Sequence, residues 1–144
     1  MKKIYNDIKI VTSDDHPVFL NGINSIIENT EGFKLQGTST NGIELLNAYK
    51  QHKPDIILVD IKMPKMDGID VVREIRLKDK DTGIVCLSGY GDKELISEML
   101  EAGANGYVIK NADQNEIIET IIKVYNKERY LCRQTLDIVL KIPD

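Results

Sequence analysis

The sequence has only two cysteines, Cys86 and Cys132. Two make no disulfide framework, and Cys86 lies inside an apolar run, so a reducing compartment is expected. No stretch approaches the roughly 18 apolar residues of a membrane span. The N-terminal MKKIYNDIKI starts basic but lacks an apolar signal-peptide core. A cytoplasmic protein with no membrane partner is expected. There is no basic excess: 19 Lys and Arg stand against 23 Asp and Glu, for a formal net charge of −4. That balance argues against non-specific nucleic-acid binding by this chain, a local basic patch aside. Repeats and low-complexity tracts are missing. So is a GxxxxGK[ST] loop, which disfavours a nucleoside triphosphatase. What is present is 42% hydrophobic and 29% charged residues over 144 positions. This is the profile of one globular domain, able to bury roughly 70% of its unfolded surface.

Apolar spacing predicts five strand–helix alternations. Ile8 to Val11 read as a strand, and Phe19, Ile23, Ile26 and Ile27 fall at helical spacing. A short strand lies within Phe33 to Thr38, and Leu45, Leu46 and Tyr49 mark a helix entered after Asn41, a candidate cap. DIILVD (55–60) is a continuous apolar run bracketed by acids, the pattern of a strand buried on both faces. Val71, Val72 and Ile75 start the next helix, GIVCLS (83–88) the next strand. Leu95, Ile96, Met99 and Leu100 form a helix closing near Gly103. GYVIK (106–110) is a fifth strand, and Ile117, Ile118, Ile121, Ile122 and Tyr125 give a helix with Asp113 near its start. Strict alternation implies a parallel sheet covered on both faces.

In such sheets ligands sit beyond the carboxyl ends of the strands, where strand order reverses. Asp14 and Asp15 follow the first strand, Asp60 ends the third, Ser88 the fourth and Lys110 the fifth. A flavodoxin-like order, 2-1-3-4-5, makes the first and third strands neighbours at the switch point. Three carboxylates then converge beside a hydroxyl and an ammonium. Neighbouring carboxylates repel and lose hydration on burial. A hard divalent cation among them resolves the conflict, and magnesium takes such oxygen donors. For one Asp alone a helix cap is the plainer reading. Two adjacent acids together with Asp60 and Lys110 favour the cation. A flavin-type phosphate loop fits badly, because two negative charges stand where Gly, Ser and Thr amides are needed. A haloacid-dehalogenase-like phosphatase needs a second Asp two residues after the first, and position 62 is Lys.

The segments SDDHP, VDIKMPKMDG, LSGY and GANGYVIK occur in this order. Over about residues 8–128 the chain resembles receiver domains of two-component response regulators. DDHPVFLNGI and GYVIKNA are similar to the NarL/LuxR-type subgroup. The resemblance implies a CheY-like, flavodoxin-like α/β fold with five parallel strands and five helices. It implies a phosphorylation switch, not an enzyme, with Asp60 accepting a phosphoryl group from a sensor histidine kinase. Asp14, Asp15, Asp60 and the Lys62 backbone carbonyl would hold Mg2+, with Mn2+ a substitute. Lys110 and Ser88 would contact phosphoryl oxygens. Tyr107 would turn inward as Ser88 moves, although an amphipathic tyrosine at the sheet edge is the plainer reading of the residue alone. Lys62, Gly89 and Tyr90 would set access to the phosphoryl group and its lifetime. Pro64 and Gly68 shape the loop after Asp60. Homodimerisation on phosphorylation is expected.

The chain departs from the family at Thr12 and Ser13, where aliphatic residues are usual, and at Gly89, where Ala is common. Buried hydroxyls there need partners. His16 belongs to the DDHP sequence feature and invites a catalytic role that is not its leading reading. His52, before a Lys-Pro turn, is expected to be solvated. The expected division is a receiver at 1–128 and a linker with a short helix at 129–144. In the subgroup such a tail leads to a helix-turn-helix domain on the order of 60 residues long, the only route to DNA. The chain is therefore expected to be an excised receiver with a transcriptional output. The alternative is a stand-alone phosphotransfer or protein-interaction receiver.

Overall fold

Strand and helix alternate as the apolar periodicity requires. A computed structural model describes residues 7–89, 92–131 and 133–140. In chain order the elements are β1 (Ile8–Ser13), α1 (Pro17–Glu28), β2 (Phe33–Ser39), α2 (Gly42–His52), β3 (Ile56–Val59) and α3 (Gly68–Arg76). They continue with β4 (Gly83–Ser88), α4 (Lys93–Ala102), β5 (Gly106–Ile109), α5 (Gln114–Tyr125), β6 (Tyr130–Leu131) and α6 (Arg133–Leu140). All strand pairs are parallel, and the sheet order is β2-β1-β3-β4-β5-β6.

The period of two along each strand sorts the core into two layers. Ile56 and Leu58 of β3 and Val85 and Leu87 of β4 face α1 and α5, against Ile27 and Ile121. Ile57, Val59, Ile84 and Cys86 face the opposite layer with Leu45, Val72 and Met99 from α2, α3 and α4. Every residue of β3 and β4 is buried, as continuous apolar runs demand. Caps set the helix starts. Asn41 accepts from the Glu44 amide at 2.9 Å, and Asp113 from the Glu116 amide at 2.9 Å. Gly103, at φ +125°, closes α4 in a conformation that side chains rarely adopt.

The expected sheet of five strands and five helices gains a sixth of each. After α5 the chain turns at Lys127, φ 68°, and runs back along the outer edge of β5. The Tyr130 amide donates to the Asn105 carbonyl at 2.9 Å. Edge groups of β5 that would otherwise need water are thereby paired. Leu131, Ile138 and Val139 then pack on the cluster that contains Tyr107. A two-residue strand has no periodicity to read, so the tail was legible only as a polar segment with a short amphipathic piece. Thr12 and Ser13 do find partners. The Thr12 hydroxyl donates to Asn24 Oδ1 at 2.7 Å, and Ser13 donates to the Leu58 carbonyl at 3.0 Å. His52 is half-buried, its ring facing Gly37, rather than solvated.

Candidate functional site

The carboxyl ends of β1, β3, β4 and β5 deliver Asp14, Asp60, Ser88 and Lys110 to one place. Asp14 and Asp60 are almost fully buried, at 2% and 1% exposure. One ammonium serves both: Lys110 Nζ lies 2.7 Å from Asp14 Oδ2 and 3.1 Å from Asp60 Oδ2. Asp60 Oδ1 accepts from the Ile61 amide at 2.7 Å. The Phe19 ring lies 4.6 Å from the Lys110 ammonium. The loop after Asp60 closes tightly. The Gly68 amide donates to the Ile61 carbonyl at 2.8 Å, and a Cβ at Gly68 would stand 2.0 Å from the Asp60 carbonyl oxygen. Only glycine lets α3 start against the site.

Charge is under-compensated here. Burial pushes the Asp60 carboxyl above its ordinary value, the Asp14 charge adds to this, and Lys110 opposes both. Burial works against the Lys110 charge, but hydrogen bonds and charge from Asp14 and Asp60 outweigh it and raise its pKa. Asp14, Asp15, His16 and Asp60 each offer one donor atom, and these atoms lie within 4.8 Å of one another. Added positive charge is what such a pocket is short of, so its chemistry fits a divalent cation.

His16, not an acid, is the N-cap residue of α1, which sets aside the plain capping reading of Asp14 and Asp15. Pro17 at the first helical position holds His16 extended, at φ −103° and ψ 104°. Asp14 Oδ1 accepts from the His16 amide at 2.8 Å, and His16 Nδ1 lies 3.0 Å from the same oxygen. Asp15 is more open. Ser88 is fully buried, and so is Tyr107. Tyr107 is therefore inside the fold, under β6 and α6, and not an amphipathic residue at a sheet edge. Hydrogen bonds with Ser88 and Cys86 meet at its hydroxyl, and burial raises its pKa. Lys62 and Gly89 are exposed, and a Cβ at Gly89 would meet only the Lys110 side chain, at 3.9 Å. Tyr90 and Cys132 lie outside the described residues. Sequence reasoning counted Phe19 as a core position of the first helix and missed its place beside Lys110. Its place in the first turn of α1, directly after the strand-end acids, was the available signal.

A doubly wound parallel sheet with buried acids and a lysine at its switch point defines a phosphoryl- and cation-handling class. Residues 10–122 match the family described as response regulator receiver domain, and the chain belongs to that family. It is 32% identical over 125 residues to oxygen regulatory protein NreC of Staphylococcus carnosus, covering 86% of this chain and 58% of that protein. It is 30% identical over 126 residues to transcriptional regulatory protein DegU of Brevibacillus brevis, covering 88% of this chain and 53% of that protein. The chain thus spans little more than half the length of these curated relatives. A LuxR-family two-component response regulator from Aurantimonas sp. SI85-9A1 superposes with a TM-score of 0.88 at 26% identity, covering 93% of this chain and 96% of that one. Among the described residues no helix is long and apolar enough to cross a membrane.

Proposed function

We propose that Asp60 accepts a phosphoryl group from a phosphohistidine of a sensor histidine kinase, and that the aspartyl phosphate switches the domain. The observation that carries this is the convergence of two buried strand-end carboxylates, Asp14 and Asp60, on the single Lys110 ammonium. An Asp60 oxygen attacks phosphorus as the bond to the histidine nitrogen breaks, and the electron pair leaves on the imidazole. Asp14, Asp15, Asp60 and the Lys62 carbonyl would hold magnesium, or manganese in its place, which would supply charge neutralisation at the phosphoryl oxygens. Lys110 exchanges its pairing with Asp60 for a phosphoryl oxygen. Ser88 exchanges the Tyr107 hydroxyl for another. Positioning and charge do most of the work in a loose phosphoryl transition state. Lys62 and Tyr90 shield the product from water, and Gly89 keeps the entry open.

The switch then runs through Tyr107. Its hydroxyl loses Ser88, and Tyr107 pairs in register with Leu131 of β6. The disturbance therefore reaches β6 and α6, and α6 packs beside α4. The output is transcriptional, through a C-terminal DNA-binding domain outside this chain. The matched stretch makes up 53% of curated relatives that include transcriptional regulators, which supports that reading. A second reading, a receiver acting without an attached DNA-binding domain, is favoured by one observation: β6 pairs with β5, and Leu131, Ile138 and Val139 pack on the core of the domain. A second copy of the chain is a further partner, engaged on phosphorylation.

The test uses acetyl phosphate and magnesium with intact-mass detection. The parent chain gains one phosphoryl mass and Asp60→Ala gains none. A phosphoryl mass on Asp60→Ala overturns the assignment.

A further inference from the structure

The described N-cap residues, those of α1 to α5, behave alike with one exception. Asn41, Asp67, Asp92 and Asp113 each accept a backbone amide with the side chain, at the starts of α2, α3, α4 and α5. His16, at the start of α1, makes no side-chain cap bond. Its ring turns back over the acids. Nδ1 lies 3.0 Å from Asp14 Oδ1 and 3.2 Å from Asp15 Oδ1. Adjacent donors around an octahedral ion with bonds of about 2.1 Å stand about 3 Å apart. The imidazole nitrogen thus occupies the spacing of a neighbouring ligand to two carboxylates, and its donor atom lies within 4.8 Å of those of Asp14, Asp15 and Asp60. The backbone that places it is fixed from both sides, by Pro17 and by the hydrogen bond that the His16 amide donates to Asp14 Oδ1.

We propose that His16 is a ligand of the cation site through Nδ1, and that it turns the site's preference from magnesium toward first-row transition ions such as manganese and cobalt. The proposal rests on the reading of these acids as a divalent-cation site. Magnesium is a hard ion that favours oxygen and keeps its waters, so an imidazole adds little to its binding. Transition ions accept nitrogen readily, and their affinities rise from manganese to cobalt and beyond. An all-oxygen pocket discriminates less between them and magnesium. The rival account is that the ring only donates a hydrogen bond to the carboxylates and positions them. That role helps every ion equally.

Calorimetric titration of the full chain with Mg2+ and with Co2+ separates the two, using the parent, His16→Ala and His16→Asn. Asparagine keeps an N–H donor near the Nδ1 position but has no nitrogen lone pair to give. The ring is 67% exposed, so neither variant threatens the fold. Both variants should bind Co2+ about tenfold more weakly and Mg2+ within twofold of the parent. Pulsed electron paramagnetic resonance of the Mn2+-loaded parent should show a directly bonded nitrogen that both variants lack. Equal weakening for both ions, no weakening, or rescue of Co2+ binding by asparagine overturns the proposal, as does absence of the nitrogen coupling. If the parent binds neither ion, the cation site itself fails and the proposal with it. If the parent binds both and the variants match it, only the role of His16 fails.

Discussion

At the carboxyl ends of the strands, Asp60 and Asp14 share one ammonium. At the amino ends, Asp79 alone collects four donors. Its Oδ2 accepts from the Tyr49 and Thr82 hydroxyls, each at 2.6 Å, and its Oδ1 from the Asp81 and Thr82 amides at 2.8 and 3.1 Å. Arg76 completes this second cluster, donating to the Gly103 and Asp79 carbonyls at 3.0 Å each and to Asn105 Oδ1 at 2.7 Å. That Asn105 oxygen also accepts from the Ile84 amide at 2.9 Å, so the end of α3 is tied to the starts of β4 and β5. Burial opposes ionisation of Asp79, but hydrogen bonds from Thr82, Tyr49 and the two amides outweigh it and pull its carboxyl below the ordinary range. Asp60 goes the other way, pushed up by burial and by Asp14. Two clusters built around aspartates therefore differ in satisfaction. The satisfied one has nothing left to bind and is structural. The under-compensated one holds charge that a cation or a phosphoryl group relieves.

The largest effect that sharpens this contrast is at position 79. Asp79→Asn turns an acceptor into a donor facing donors. It should destabilise the chain by about 2–3 kcal/mol at neutral pH, read from urea unfolding. The folded carboxyl titrates below its ordinary value of 3.8, so its contribution is present above that pH and is lost as pH falls below it through the lower folded value. The gap between parent and variant should close in acid. A variant as stable as the parent at neutral pH would deny the cluster its structural role.

At position 60 the sign reverses. Asp60→Asn removes a desolvated charge and its repulsion from Asp14, while Lys110 keeps Asp14 as partner. The variant should be more stable than the parent by about 1 kcal/mol at neutral pH, without added metal. The folded carboxyl titrates above 3.8, so the parent carries its penalty at high pH and loses it as pH falls toward 3.8. The gain should fade over that window. A destabilised Asp60→Asn would show that the site is held together by its charges rather than strained by them.

How much of this was legible in the sequence differs between the two ends. DIILVD and GIVCLS read as buried strands because no other element of that length is apolar throughout. The rule that ligands gather beyond strand ends then put Asp14, Asp60, Ser88 and Lys110 on one rim, and they stand there. Nothing comparable announced the second cluster. Asp79, Asp81, Thr82 and Asn105 carry no motif, and their partners Tyr49 and Arg76 come from α2 and α3, far apart in the chain. Tyr130 and Leu131 were opaque for a related reason. Two residues gain strand structure only from the exposed edge of β5, a property of the assembled sheet. Side-chain direction was the other limit: position showed His16 beside the acids, and only the fold turns its ring toward them.

The smallest effect tests the second cluster from its donor side. The Tyr49 hydroxyl is held by Asp79, and burial, that hydrogen bond and the Asp79 charge together push its pKa up to about 12. Tyr49→Phe keeps the ring and removes one charge-assisted hydrogen bond among the four that Asp79 accepts. The loss should be about 1 kcal/mol at neutral pH, less than for Asp79→Asn because three donors remain. Its pH dependence lies at the opposite extreme from that of the carboxylates. The folded tyrosine keeps its proton where the unfolded one, near 10, has lost it. Its contribution is complete below about pH 10 and is lost as pH rises through 12. The parent should therefore lose its advantage over Tyr49→Phe in alkali, the other tyrosines cancelling in the difference. An advantage that persists at pH 12 would mean the phenol stabilises the fold by packing alone, and that Asp79 depends on Thr82 and the amides.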